Sequence, residues 1–229
     1  MGMIIPPSIP MVLYAIIAEE SVGKLFLGGL IPGLMIGVFQ LCITMFISIK
    51  NNYPKEDVSL SVKDIIIQTR RSSLALIMPI FVVGSVVFGI ATATESAAIG
   101  VFYAFIIGII FLGVKNWKKY FTKILPDCFH SAILTSAKIM IVIAFSKLYI
   151  WILALERIPQ TVANFMVTMN LPPVIMLLFI VVIILLAGTF IDVSPAILLL
   201  TPVFLPACTA VGISPIHFGA ILISGISVG

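Results

Sequence analysis

Positions 73–114 hold a single charged residue, Glu95, in otherwise hydrocarbon-soluble chain, and that placement restricts the possible folds more than any other feature. A charged side chain at the bilayer centre costs about 2.5–3.5 kcal/mol by insertion scales, so a glutamate there has to face protein, water, an ion or a solute. It belongs to the break Thr92-Ala93-Thr94-Glu95-Ser96. Two further polar breaks lie in apolar surroundings, Pro6-Pro7-Ser8 and Asp192-Val193-Ser194-Pro195. Irregular backbone at membrane depth is tolerated only inside protein or along a water-filled cavity, so three such breaks in one membrane chain suggest a transport pathway.

Composition agrees with a membrane solvent. Hydrophobic residues make up 61% of the chain and charged residues 10%, against roughly 45–50% and about 25% in soluble domains. The fold class expected is all-α, a polytopic helical membrane protein with discontinuous helices and a re-entrant helical hairpin. The formal charge of +4 is informative through its location and does not call for nucleic acid as a partner. Lys50, Lys55, Lys63, Arg70 and Arg71 form one basic cluster, and Lys115, Lys118, Lys119 and Lys123 form another. The positive-inside rule places both on the cytoplasmic side. An even number of spans must then join them, and residues 73–114 suffice for two helices with a turn near Ala91–Ser96.

Along the chain, residues 3–18 read as a proline-broken apolar piece and 25–49 as a full span with Gly29, Gly33 and Gly37 on one packing face. Residues 50–72 read as a polar loop followed by an amphipathic stretch. The next span, 127–155, contains Lys138, which either neutralises an anionic solute or pairs with a neighbouring helix. Residues 157–170 have the mixed polarity of an interfacial helix or arm. The aliphatic run 174–191 and the apolar piece 196–211 form a helical hairpin with Asp192–Pro195 at its tip, followed by a turn at Gly212-Ile213-Ser214-Pro215. The run from His217 to Gly229 is shorter than the ~20 residues a span requires.

Each polar break has two readings from its residues. Pro6 and Pro7 remove backbone donors, which either kinks the chain or frees carbonyls that, with the Ser8 hydroxyl, suit a hard cation. Thr92, Thr94 and Glu95 either line a pathway or sit solvated in an outer loop. Asp192, with Thr189 before it and Ser194 after it, is either an ion and solute site or a water-exposed capped turn. A broken helix offers carbonyls from one half and N–H groups from the other, so it can hold a cation and an anion together.

Enzyme chemistry has little support. Gly225-Ile226-Ser227-Val228-Gly229 matches GxSxG without the strand and helix that a nucleophile elbow needs. His130 and His217 stand apart, and no HExxH, Walker A or GxGxxG string occurs. Cys42, Cys128 and Cys208 form no CxxC pair. No enzymatic activity and no cofactor is expected. Without a P-loop, an ion gradient is the natural energy source.

Three stretches taken in order resemble the large membrane subunit of TRAP transporters (tripartite ATP-independent periplasmic transporters). They are Gly2-Met3-Ile4-Ile5-Pro6-Pro7-Ser8-Ile9-Pro10-Met11, Gly89-Ile90-Ala91-Thr92-Ala93-Thr94-Glu95-Ser96-Ala97-Ala98, and Gly188-Thr189-Phe190-Ile191-Asp192 with Pro195-Ala196-Ile197 and Leu200-Thr201-Pro202. The resemblance covers residues 1–229 as a single permease domain that reads as a piece cut at both ends.

That resemblance implies an elevator-like secondary transporter of the bacterial cytoplasmic (inner) membrane, in which sodium ions and one organic anion bind between two inverted repeats. A dicarboxylate or a sugar acid would be delivered by a periplasmic solute-binding protein, and a small membrane subunit and membrane lipid would complete the surroundings. Pro6, Pro7 and Ser8 would serve one sodium site. Gly188, Thr189 and Asp192 would serve the other site or the hairpin tip, while Thr92, Thr94, Glu95, Ser194 and Pro195 would line or support the pathway. A stand-alone sodium/dicarboxylate carrier and a non-transporting assembly subunit are the alternatives.

Overall fold

The computed structural model describes residues 2–53, 62–110, 114–169 and 172–228, and every regular element among them is helical. The helices are α1 (Ile9–Ile17), α2 (Val22–Lys50), α3 (Val62–Val87), α4 (Ala93–Gly108), α5 (Val114–Lys119), α6 (Leu125–Leu155), α7 (Ile158–Thr168), α8 (Pro173–Phe190), α9 (Val193–Ala210) and α10 (Pro215–Val228). A short π-helical turn, Tyr120–Ile124, carries α5 into α6. Four stretches are long and apolar enough to cross a membrane: Val22–Lys50, Trp117–Leu155, Pro173–Phe190 and Val193–Ala210. Their outer faces suit lipid, with Leu41, Phe46, Phe145 and Trp151 all exposed. Helices are the natural outcome because a backbone in hydrocarbon has to satisfy its own N–H and C=O groups.

Helix ends fall where local chemistry stops them. Ser21 caps α2, its hydroxyl accepting from the Lys24 amide, and Lys50 occupies the last turn, where a cation complements the helix dipole. Beyond it, Asn52 takes a positive φ of 47°. Of the polar loop expected at 50–72, residues 54–61 lie outside the described residues, and α3 already begins at Val62. The turn expected near Ala91–Ser96 instead occupies residues 88–92. Gly89, at φ 68°, reverses the chain there, and a cap at Thr92 starts α4 at Ala93, so Thr94, Glu95 and Ser96 are helical.

The packed centre gathers α1, α8, α9, α10 and the start of α2. Tyr14, Leu25, Ile180, Ile184, Ala196, Ile197, Phe218, Leu222 and Ile223 are fully buried within it. α8 and α9 pack as the expected hairpin, linked only by Ile191 and Asp192. The segment expected as an interfacial helix or arm is the helix α7, which lies along α9 and buries Pro159 and Met166. Close approach of α1 to its neighbours depends on two small residues. A Cβ on Gly29 would stand 2.1 Å from the Met11 methyl, and one on Gly219 would stand 2.3 Å from the Tyr14 ring. The Tyr14 hydroxyl donates to the Pro215 carbonyl at 2.6 Å, tying α1 to the first residue of α10.

Candidate functional site

At the first break, Pro6 and Pro7 lie in irregular chain, joined by a cis peptide bond, and α1 starts immediately after Ser8. Ser8 is buried and has extended backbone angles, φ −127° and ψ 126°. Its hydroxyl does not cap α1; it donates to the carbonyl of Met3, folding the preceding turn back on itself. Pro7 and Ser8 face a cavity of about 520 Å³ between α1, α2, α3 and α4. Thr94 lines the same cavity, so the fold brings residues of the first and second breaks together. Most of the remaining lining is apolar, including Val12, Phe26, Met78, Val82 and Val101.

The second break is held by its own hydrogen bonds. Thr92 Oγ1 accepts from the Glu95 amide at 3.3 Å, and Glu95 Oε2 accepts from the Thr92 amide at 2.8 Å, forming a reciprocal capping box. The Thr92 hydroxyl also lies 2.8 Å from Glu95 Oε2 and 3.2 Å from Thr94 Oγ1. The carboxylate therefore meets two donors and sits at the helix N-terminus, where the dipole favours negative charge. Ser96 points the other way. It is fully buried and its hydroxyl lies 2.8 Å from that of Ser85, which in turn donates to the Val82 carbonyl. This pair locks α4 against α3. Sequence reading passed over Ser85, although a serine in the apolar core of a span is a visible signal for a polar contact.

The hairpin tip is different. Gly188 lies within α8, and the Thr189 hydroxyl donates to the Leu186 carbonyl at 2.6 Å, so it is engaged by its own helix. Asp192 is the N-cap residue of α9, but its carboxylate makes no capping hydrogen bond. An aspartate at that position normally accepts from the amide two or three residues on; here the residue three on is Pro195, which has no N–H, and the Ser194 amide two on is not bonded by the carboxylate. Asp192, Ser194 and Pro195 instead line a second cavity of about 150 Å³, with Leu13 of α1, Leu198 of α9, and Lys138, Ile139 and Val142 of α6. Pro202 cannot donate to the Leu198 carbonyl, so that carbonyl lacks its helical partner. Three residues on, the Thr201 hydroxyl is fully buried and has no hydrogen-bond partner among the described residues.

Leu13 lines both cavities, so one side chain of α1 stands between the site at Pro7, Ser8 and Thr94 and the site at the hairpin tip. Sequence reading singled out Lys138 but could not connect it with Asp192. The signal available was a cation inside an apolar span that also holds Lys147. No group of three or more His, Cys, Asp or Glu side chains suited to a transition metal occurs among the described residues. The donors present are hydroxyls, carbonyls and a carboxylate, the oxygen set that hard cations take.

A family model described as "Tripartite ATP-independent periplasmic transporter, DctM component" matches residues 1–229. The isethionate TRAP transporter permease protein of Oleidesulfovibrio alaskensis is 33% identical over 228 residues, covering 100% of this chain and 35% of that protein. The sialic acid TRAP transporter large permease protein of Vibrio cholerae is 32% identical over 231 residues, covering 100% of this chain and 52% of its own length. The C4-dicarboxylate TRAP transporter large permease protein of Pseudomonas aeruginosa is 32% identical over 234 residues, again covering 100% and 52%. The chain thus spans about half or less of the length of these relatives, which are named as transporter permeases and not as enzymes.

Proposed function

This chain belongs to the DctM component family of tripartite ATP-independent periplasmic transporters, and on that footing we propose that it is the hairpin-bearing part of a sodium-coupled organic acid permease. The permease works in the bacterial cytoplasmic membrane with a small membrane subunit and a periplasmic solute-binding protein. Its solute is an organic anion, a class that also takes in the isethionate, sialic acid and C4-dicarboxylates named for its relatives.

The observation that carries this reading is the uncapped Asp192 carboxylate at the hairpin tip, turned to a cavity and left over from helix capping. A free carboxylate near the Ser194 hydroxyl supplies oxygen ligands for sodium. The start of α9 presents amide dipoles to an anionic solute at the same place. At the first break, Pro6, Pro7 and Ser8 contribute carbonyls and a hydroxyl to another ion site. Thr92 and Glu95 fix the start of α4, so that Thr94 faces the cavity of that site. Coupling follows if sodium at the tip compensates charge that would otherwise repel the anion.

The test is solute uptake into proteoliposomes containing the intact permease and its small subunit, with and without a sodium gradient and with and without the binding protein. Uptake that needs both supports the proposal. Sodium-driven uptake without the binding protein assigns the chain to stand-alone carriers, and uptake indifferent to sodium removes the coupling ion from the scheme.

A further inference from the structure

Lys138 is an unusual residue for its place. It lies near the middle of α6, inside the apolar stretch Trp117–Leu155, and is followed by Ile139, Met140, Ile141 and Val142. An ammonium at such depth is retained where it finds a counter-charge or a polar cavity. Here it opens into the cavity that contains Asp192 and Ser194, and α6 packs against α9 on that side. Neither charged side chain has an ion pair or a side-chain hydrogen bond among the described residues. One positive and one negative group therefore share a space of about 150 Å³ with largely apolar walls, each without another partner. Both residues are exposed, so these opposite charges attract across a partly solvated space.

We propose that Lys138 is a tethered cation that competes with sodium for Asp192. With the tip empty, the ammonium neutralises the carboxylate. When sodium enters, it displaces the ammonium, which swings back toward the cavity wall on its flexible stem. The cost of that displacement lowers the permease's sodium affinity and sets the concentration range over which it responds. The proposal concerns a positioning charge, not a ligand of the ion. It rests on the sodium-coupled reading given above.

The experiment measures initial uptake against external sodium for the wild-type permease with its partner subunit and loaded binding protein. The same titration is run for Lys138→Gln and Lys138→Arg, with Lys138→Met as a second neutral variant suited to the apolar surroundings if the glutamine variant does not insert. Removing the charge is expected to lower half-saturating sodium by about tenfold, the scale of removing a unit charge close to a partly solvated site. Arginine is expected to stay within about twofold of wild type, since it keeps the charge. An unchanged or raised half-saturating sodium in the neutral variants overturns the proposal while sodium-dependent wild-type uptake leaves the underlying function intact. A rise in half-saturating solute with sodium response unchanged also overturns it, and assigns Lys138 to the anion. Sodium-independent uptake by the wild type defeats the coupled reading itself.

Discussion

The N-terminus of α4 and the N-terminus of α9 begin alike and end differently. Each follows a short break between apolar helices, and each has a carboxylate within its first turn or at its cap. At α4 the carboxylate of Glu95 closes a reciprocal pair of hydrogen bonds with Thr92. At α9 the carboxylate of Asp192 makes no capping bond and faces a cavity. Spacing accounts for part of the difference. Thr92 and Glu95 stand three residues apart, the separation of a capping box. The position three after Asp192 is Pro195, which has no amide to offer, and the Ser194 amide two residues on is not bonded by the carboxylate. A carboxylate engaged with its own helix is architecture, whereas one left free is available to an ion.

The largest expected effect breaks the comparison at its charged end. Asp192→Asn keeps a side chain able to cap a helix but removes the charge. We expect it to reduce uptake as severely as Asp192→Ala, about 10- to 100-fold, in line with the ~1.5–3 kcal/mol carried by interactions with a charged group. Immunoblotting of membranes should show normal insertion for both. Uptake by the asparagine variant close to wild type would return Asp192 to a capping role and erase the contrast with Glu95.

Next is the shared element between the two cavities. Gly219→Ala drives a methyl into the Tyr14 ring, and overpacking of this kind costs about 1–3 kcal/mol. Thermal unfolding in detergent should register a clear fall in midpoint. Tyr14→Phe, which removes only the hydroxyl bond to the Pro215 carbonyl, should cost about 1 kcal/mol. Equal midpoints for all three proteins would show that α1 is not held by α10.

At the self-satisfied end the effects are smaller. Thr92→Ala should cost about 1 kcal/mol of stability through the lost cap, with uptake persisting at reduced level. Glu95→Gln should be close to neutral for both stability and uptake, because glutamine also completes a capping box. A Glu95→Gln permease that is stable yet inactive would mean that the charge itself acts in the pathway, and would bring the two helix starts back into one class.

How far the chain could be read in advance follows the range of the interactions involved. The hairpin and the proline break were legible because each is a local event: apolar length and a missing N–H. The two spans expected within residues 73–114 correspond to shorter apolar helices, Ser72–Val87 and Ala93–Gly108, which are not among the four stretches long enough to cross a membrane. The turn before α4 was displaced from its expected place because Gly89 reverses the chain earlier than the threonines suggest. The interfacial character read in residues 157–170 did not disclose that α7 lies along α9 and buries Met166. Periodicity reports that a helix has two faces, but not which neighbour covers one of them.

The sequence by itself determined the solvent this protein folds in, its helical class and the three places where its helices break, since a backbone in hydrocarbon has few alternatives. Tertiary structure alone decided which broken segments meet. It placed Ser8 with Thr94, set Leu13 between two cavities, and opened Lys138 toward Asp192. Those pairings join residues far apart in the chain, and they arise from helix packing, where small residues such as Gly29 and Gly219 let backbones approach. No local pattern records that choice, because it depends on the shapes of both partners at once.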